Sequence, residues 1–396
     1  MSAPRFSLVI PTRERATTLA CALQTCLTQE FEDFEIVVCD NCSSPATKEV
    51  VDRFADPRLR YVRAPKALAM SVNWELAVSH ARGEYLLVLG DDDGLLPHAL
   101  RELDRLIRLL GAQVIRWSAV FYTWPTIAVA GEANYLRVPL GREVRRLEAR
   151  SVIASVIRFE TPYVMLPMLY NAAIHRSLVD ELRRRAGRVF GNRYPDVYSG
   201  FALGYTAGTY WSVELPMSVA GSSGGSYGVA AVFFRGKSPL DLELRRLDAE
   251  AGLPVHPWVS DLPLFPVVPV ADSFQLAKET FFRDDATLNL DRKLVATLSV
   301  EGLRADSESE WRAGLATIRA TFAEDPALSS WFDATFESVR PRSGPAVRLR
   351  SERLGYDGTF LHLDAGAFGV SDVCEAVDLC EKLLNCRGQA VEYVLS

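Results

Sequence analysis

Residues 84–97 read EYLLVLGDDDGLLP. Tyr85 to Leu89 is an unbroken apolar run, short enough for one strand and lacking the alternation of a half-solvated one. It predicts a strand buried on both faces, as in a parallel sheet. The run ends at Gly90, three successive aspartates and Gly94, and Pro97 then stands at the first-turn position of a helix through Leu110. An apolar strand that ends in an acidic loop puts charge at the carboxyl edge of a sheet, where open α/β folds bind ligands.

The flanking sequence repeats the pattern. Phe6 to Ile10 (FSLVI) is a strand closed by Pro11-Thr12, residues 16–29 carry apolar positions at helical spacing, and Phe34 to Cys39 (FEIVVC) is a second strand. Strand, helix and strand in about thirty residues make a right-handed βαβ unit. Leu59 to Val62 predicts a short strand, Met70 to Ala81 a helix, and Gln113 to Trp117 another strand. The first ~120 residues therefore predict a doubly wound, mainly parallel α/β sheet. Farther on, 143–158 and 174–187 read as Arg-rich helices, Trp211 to Glu214 as a short strand, Gly221 to Gly228 (GSSGGSYG) as a loop, and 235–270 as Pro-punctuated chain. From 271 the pattern is mostly helical, with a strand-like LHL at 361–363 and a last helix from about Ser371 to Asn385.

The composition sets outer bounds. The 396 residues are 48% hydrophobic and 24% charged, enough for a large core and incompatible with wholesale disorder. A net charge of −6 argues against a protein that coats nucleic acid. The 44 basic residues include six Lys, and the Arg excess has no explanation in the sequence. No stretch reaches the ~18 apolar residues of a membrane span, and Met-Ser-Ala-Pro-Arg leads without an apolar signal core into the first strand. The expectation is a cytoplasmic protein with no transmembrane segment. Peripheral membrane contact through Arg142–Arg150 and Arg183–Arg188 is weighed against solvated helix faces interleaved with Glu. The seven scattered Cys, Cys39-x-x-Cys42 included, lack zinc-ribbon spacing and read as reduced structural thiols. His98 reads as a helix-surface residue.

Three polar clusters meet at one sheet edge: Pro11-Thr12-Arg13, Asp40-Asn41-Cys42-Ser43 and Asp91-Asp92-Asp93. No glycine precedes Gly83, so the first strand-to-helix turn has none of the glycines a dinucleotide fingerprint requires. Gly236-Lys237-Ser238 resembles the tail of a P-loop, but Ala231 stands where that loop needs glycine. A nucleoside diphosphate at this edge must be neutralised otherwise, and a divalent cation on carboxylates is the direct means. Three ionised aspartates in a partly dry site also repel one another unless a cation joins them.

In order and spacing, SLVIPTRERATTL, EIVVCDNCSS and SVNWELAVSHARGEYLLVLGDDDGLLP resemble a family 2 glycosyltransferase of GT-A fold, over about residues 5–120. The resemblance implies a D-x-D segment that binds Mg²⁺ or Mn²⁺ and a nucleotide-sugar. Asp93 is then the first metal ligand, with Asp91 and Asp92 approaching ribose or metal, and Gly90 standing where many relatives have a further Asp. Asp40 matches the residue that holds the base, usually uracil, although Asn41 and Cys42 replace the commoner Asp-Gly. Pro11, Thr12 and Arg13 match the nucleotide-facing loop, and Asn73 a position facing the site.

Inverting transfer also needs a base for the acceptor hydroxyl. The resemblance places it about 100 residues beyond D-x-D at a helix start, where Asp196 follows Pro195; Asp180, Glu214 and Glu160 are weaker competitors. Relatives often carry a His in the loop corresponding to 221–228, and Gly225 replaces it here, leaving Arg235 and Lys237 as candidate phosphate cations.

The combined expectation is an α/β catalytic domain over 1–235, with a nucleotide-sugar half to about 120 and an acceptor half from 121. A linker over 236–270 and a helical C-terminal region over 271–396 follow. The expected activity is metal-dependent inverting transfer from a nucleoside-diphosphate sugar, with UDP the expected nucleotide, to a glycan or lipid-linked acceptor. Two rivals stand beside it. A degenerate, non-catalytic nucleotide-sugar or carbohydrate binder is suggested by Gly90 and Gly225, and a nucleotidyltransferase is disfavoured by the glycine-free first turn.

Overall fold

The computed structural model describes residues 3–127, 129–226, 228, 238–343, 354–389 and 391–396. The chain begins β1 (Phe6–Thr12), α1 (Ala16–Leu27), β2 (Phe34–Asp40), α2 (Pro45–Asp52), β3 (Leu59–Arg63), α3 (Met70–Ser79) and β4 (Tyr85–Val88). Every residue of β1, β2 and β4 is buried, which is why these segments read as continuous apolar runs. There follow β5 (Gly94–Leu95), α4 (Ala99–Leu110), β6 (Val114–Trp117), β7 (Val120–Thr123), β8 (Tyr135–Pro139), β9 (Glu143–Glu148) and α5 (Ala149–Ile157). Gly111, at φ +59°, ends α4 in the left-handed cap that glycine takes without strain.

The acceptor side continues with β10 (Ala172–His175), α6 (Arg176–Ala186), α7 (Pro195–Ala207), β11 (Thr209–Val213) and β12 (Ser218–Ser222). Beyond it lie α8 (Pro239–Glu250), α9 (Val267–Phe281), α10 (Arg292–Gly302), α11 (Glu308–Ala320) and α12 (Pro326–Phe336). The last described part holds β13 (Gly355–Tyr356), β14 (Phe360–Asp364), α13 (Val373–Leu384) and β15 (Val394–Leu395). Side-chain oxygens of Ser238, Asp291, Ser307, Asp325 and Asp372 accept amide hydrogens at the starts of α8, α10, α11, α12 and α13.

Two sheets organise these elements. Nine strands run β15-β9-β11-β6-β10-β4-β1-β2-β3, and six run β13-β14-β8-β7-β12-β5. Within the larger sheet β1 pairs in parallel with both β2 and β4, as the βαβ reading requires, while β10 enters antiparallel between β4 and β6. One apolar core lies under α1, α4 and α13, and a second under α3, α5, α6, α7 and α9. A third, around Trp311, Phe322 and Phe332, belongs to the helices after Val259.

Four readings change. Residues 143–148, expected as helix, form a strand that pairs with β11 on one side and β15 on the other, with Val144 its buried residue. Residues 236–270, expected as linker, hold α8. Within 271–396 the helices are joined by strands that enter both sheets, β14 against β8 and β15 against β9. His98 is fully buried, its Nδ1 2.7 Å from Glu381 of α13 and its Nε2 3.0 Å from the Pro216 carbonyl. Among the described residues no helix is long and apolar enough to cross a membrane.

Candidate active site

The loop after β4 carries Asp91, Asp92 and Asp93, all nearly inaccessible to solvent. Thr12, at the end of the neighbouring β1, donates its hydroxyl to Asp91 Oδ2 at 2.6 Å. Arg15, which precedes α1, sets Nη1 2.7 Å from Asp91 Oδ1 and 3.3 Å from Asp92 Oδ1. Asp92 Oδ2 accepts from the hydroxyls of Ser223 and Ser226 at 2.7 and 2.5 Å. Asp93 accepts the Gly221 amide on one oxygen and the Gly90 amide on the other, both at 2.7 Å, and the Tyr170 hydroxyl as well. Burial and the charge of Asp92 push Asp93 up to about 7. Burial also raises Asp91, against the pull of Arg15.

Arg15 is thus the counter-charge of the triplet. Three oxygen-donor side chains suit Mg²⁺ or Mn²⁺ in kind. The two carboxylate oxygens that converge on a single cationic centre belong to Asp91 and Asp92. Asp93, expected as the first metal ligand, accepts the backbone amides of Gly90 and Gly221. Among the described residues, the three do not bring one ligand atom each within 4.8 Å of one another, while Oδ1 of Asp91 and Oδ1 of Asp92 both face Arg15 Nη1.

Glycines shape the same place. A Cβ on Gly221 would overlap the Asp92 carbonyl oxygen, and one on Gly225 would lie 3.0 Å from Arg15 Nε. Gly225 thus lies directly against the Arg15 head. A Cβ on Gly90 would stand 2.6 Å from Asp93 Oδ2, which makes glycine the fit for this placement of Asp93. Arg235 and Lys237 lie outside the described residues, as does Tyr227 of the 221–228 loop.

The other expected residues divide. Pro11 pairs with Cys39 in the sheet beside the site. Arg13 turns away to an ion pair with Glu243 of α8 at 2.5 Å. Asp40, with no exposed surface, accepts from the Ser43 amide at 2.8 Å, from Arg63 at 2.8 Å and from the Tyr61 hydroxyl. Asn73, expected to face the site, is buried with its amide on the Cys39 carbonyl at 3.4 Å, tying α3 to β2.

Asp196 stands in the first turn of α7, half-buried, and burial raises its carboxyl above the ordinary range. Tyr170 joins the two ends of the site. Its hydroxyl is on Asp93, its own ionisation is held far above normal by burial and by Asp93, and the charge of Asp196 reaches it too. Trp74 of α3 stacks on the Tyr170 ring at 6.4 Å. Of the weaker competitors, Glu160 pairs with Arg158 and Glu214 with Arg145, both at the surface. Arg15 and Tyr170 are the residues the sequence reading missed. Arg15 had a signal, as a second Arg in the loop after β1, whereas Tyr170 lies in irregular chain with none.

The family model described as "Glycosyl transferase family 2" matches residues 7–126. The succinoglycan biosynthesis protein ExoO of Rhizobium meliloti is 28% identical over 138 residues, 34% of this chain and 40% of that protein. The GalNAc(5)-diNAcBac-PP-undecaprenol beta-1,3-glucosyltransferase of Campylobacter jejuni is 35% identical over 103 residues, 25% of this chain and 33% of that one. The aligned part thus spans no more than 40% of these two relatives. Among solved structures, S. aureus TarS 1–349 in complex with UDP-GlcNAc superposes with a TM-score of 0.47 at 15% identity, covering 90% of this chain and 95% of that one. Residues 7–126 of this α/β sheet thus match the family described as "Glycosyl transferase family 2".

Proposed function

We propose that the protein is an inverting glycosyltransferase that moves one sugar from a nucleoside diphosphate, UDP in the first instance, to a hydroxyl of a glycan or lipid-linked acceptor. The observation that carries this is one set of groups: Arg15 on Asp91 and Asp92, Asp93 accepting from Tyr170, and Tyr170 within electrostatic reach of Asp196. Cationic and anionic groups for a diphosphate lie at one end, and a carboxylate of raised basicity lies at the other. The relatives' names, a succinoglycan biosynthesis protein and an undecaprenyl-linked glucosyltransferase, support a glycan or lipid-linked acceptor.

In this reading the half-buried Asp196 takes the proton of the attacking hydroxyl, its raised pKa making it a stronger base than a solvated carboxylate. Thr12 and Arg15 orient Asp91, and Arg15, which never loses its charge, stands ready for the diphosphate as its charge grows. Tyr170 keeps Asp93 in place between the two ends. Asp91 and Asp92 would hold a Mg²⁺ or Mn²⁺ ion, which when bound supplies further neutralisation of the leaving diphosphate. Asp40, at the end of β2, would in this reading hold the base of the nucleotide.

A thermal-shift screen of UDP-, GDP- and dTDP-sugars with and without Mn²⁺, followed by donor-hydrolysis assays on the stabilising ones, tests this. Stabilisation with turnover supports it. Stabilisation by a nucleotide without hydrolysis or transfer across an acceptor panel would favour a binding protein instead.

A further inference from the structure

A second cluster of ligating groups lies behind the site, where α13 packs on α1. Cys21 is in the second turn of α1, Cys374 in the first turn of α13, and Asp372 caps α13. The two Sγ atoms and a carboxylate oxygen of Asp372 all lie within 4.8 Å of one another. All three residues are half-buried, so an ion can reach them from solvent and still leave bulk water on binding. The other thiols of these two helices, Cys26 and Cys380, are fully buried and take no part.

We propose that Cys21, Cys374 and Asp372 form a binding site for a thiophilic divalent cation of the Zn²⁺ class, which clasps α13 to α1. Two thiolates and a carboxylate are a borderline-soft donor set, unlike the all-oxygen set of the aspartate triplet, so the two places select different ions. Zn–S bonds of about 2.3 Å and Zn–O bonds of about 2.0–2.2 Å in a tetrahedron put ligand atoms about 3.3–3.8 Å apart. From separations within 4.8 Å, movements on the order of an ångström close the site. The local contacts are weak ones: Cys374 Sγ donates to the Cys21 carbonyl at 3.3 Å, and the Cys21 thiol is in hydrogen-bonding reach of both Cys374 and Asp372. On binding, each thiol releases its proton to solvent, and the fourth position is left to water.

The position gives the clasp a consequence. Val373 and Val377 of α13 press on Gly94, directly after Asp93, where a Cβ would meet them at 3.0 and 2.7 Å. Arg15 immediately precedes α1. A bound ion would join the helix that backs the aspartate loop to the helix that carries the counter-charge.

Titration of the reduced full-length chain with Co²⁺ tests the proposal. The expected result is thiolate-to-Co²⁺ charge-transfer absorption that saturates at one equivalent, is bleached by Zn²⁺, and disappears in Cys374→Ser and in Cys21→Ser. Asp372→Asn should weaken Co²⁺ binding tenfold or more. Should a serine variant fail to fold by far-ultraviolet circular dichroism, protection in the wild-type protein decides: Zn²⁺ should shield Cys21 and Cys374 from alkylation, read by peptide mass. Absence of a thiolate band, a band that survives Cys374→Ser, or equal alkylation with and without Zn²⁺ overturns it. A Cys21–Cys374 disulfide formed in oxidant, by a chain that binds no Co²⁺ when reduced, overturns it as well.

Discussion

Arg15 Nη1 lies 2.7 Å from Asp91 Oδ1, so a guanidinium from the loop after β1 neutralises the acidic loop after β4. The two groups come from adjacent parallel strands, and the sheet register that sets β1 beside β4 brings them together. Removing one partner of a buried ion pair typically costs about 3–5 kcal/mol, because the remaining charge stays buried. With Arg15 a fifth exposed, Arg15→Gln should destabilise the protein by about 2–4 kcal/mol in EDTA. Mn²⁺ should restore part of that loss. Urea unfolding of both proteins with EDTA and with Mn²⁺ measures it, and a variant as stable as wild type in EDTA would remove Arg15 from this role.

Asp196→Asn should retain donor binding and lower kcat by about 10²–10⁴, the range of general base catalysis. Because burial raises Asp196, the acid limb of the wild-type kcat/KM profile should fall at a pH above the ordinary carboxylate range, with activity gained as pH rises. Steady-state kinetics and donor calorimetry on one preparation check both statements. Lost donor binding would speak against the base role.

Gly221→Ala should be far more damaging than alanine at Gly111, although both are glycine substitutions. At 221 the new methyl would overlap the Asp92 carbonyl and displace the amide that holds Asp93. At 111 nothing lies within 4 Å, and the cost is the positive φ alone, on the order of 1 kcal/mol. Thermal melts rank the two, and nucleotide binding should fail in Gly221→Ala.

Asp272 supplies a pH test away from the site. It is fully buried, accepts from the His256 amide at 2.7 Å and from Asn192 at 2.9 Å, and burial pushes its carboxyl from 3.8 to about 6. A raised carboxyl favours the folded state fully below pH 3.8, and that contribution is lost as pH rises through about 6. Relative to Asp272→Asn, the wild type should therefore lose up to about 3 kcal/mol between pH 3.5 and pH 7.5. Denaturant curves across that range give the slope, and parallel curves for the two proteins would refute it.

Much of the fold could be read from residues 5–120 because β1, β2 and β4 are buried on both faces and therefore spell apolar runs. The loop aspartates could be read for the same reason, as charge directly after such a run. Residues 143–148 misled because an edge-proximal strand rich in Arg mimics the polar face of a helix until Val144 is seen to be its buried position. Asn73 and Arg13 carry polar side chains at site-like positions, yet tertiary partners, Cys39 and Glu243, take them elsewhere. His98 looked solvent-facing because the helix that covers it, α13, arrives nearly 300 residues later.

The entry of β14 and β15 into the two sheets bears on how the protein is made. β9 receives its parallel neighbour from Val394–Leu395, about 250 residues downstream, and β8 receives β14 from 360–364. A ribosome releasing the chain from its N-terminus can close the β1–α1–β2 unit early, but both sheets keep an unpaired strand until residues 360–364 and 394–395 have been made. The nascent chain thus carries open hydrogen-bonding edges while the intervening residues are made, and non-local pairings of this length form slowly. Aggregation during expression should accordingly respond to the rate of translation over residues 340–396 more than to that over the aspartate loop.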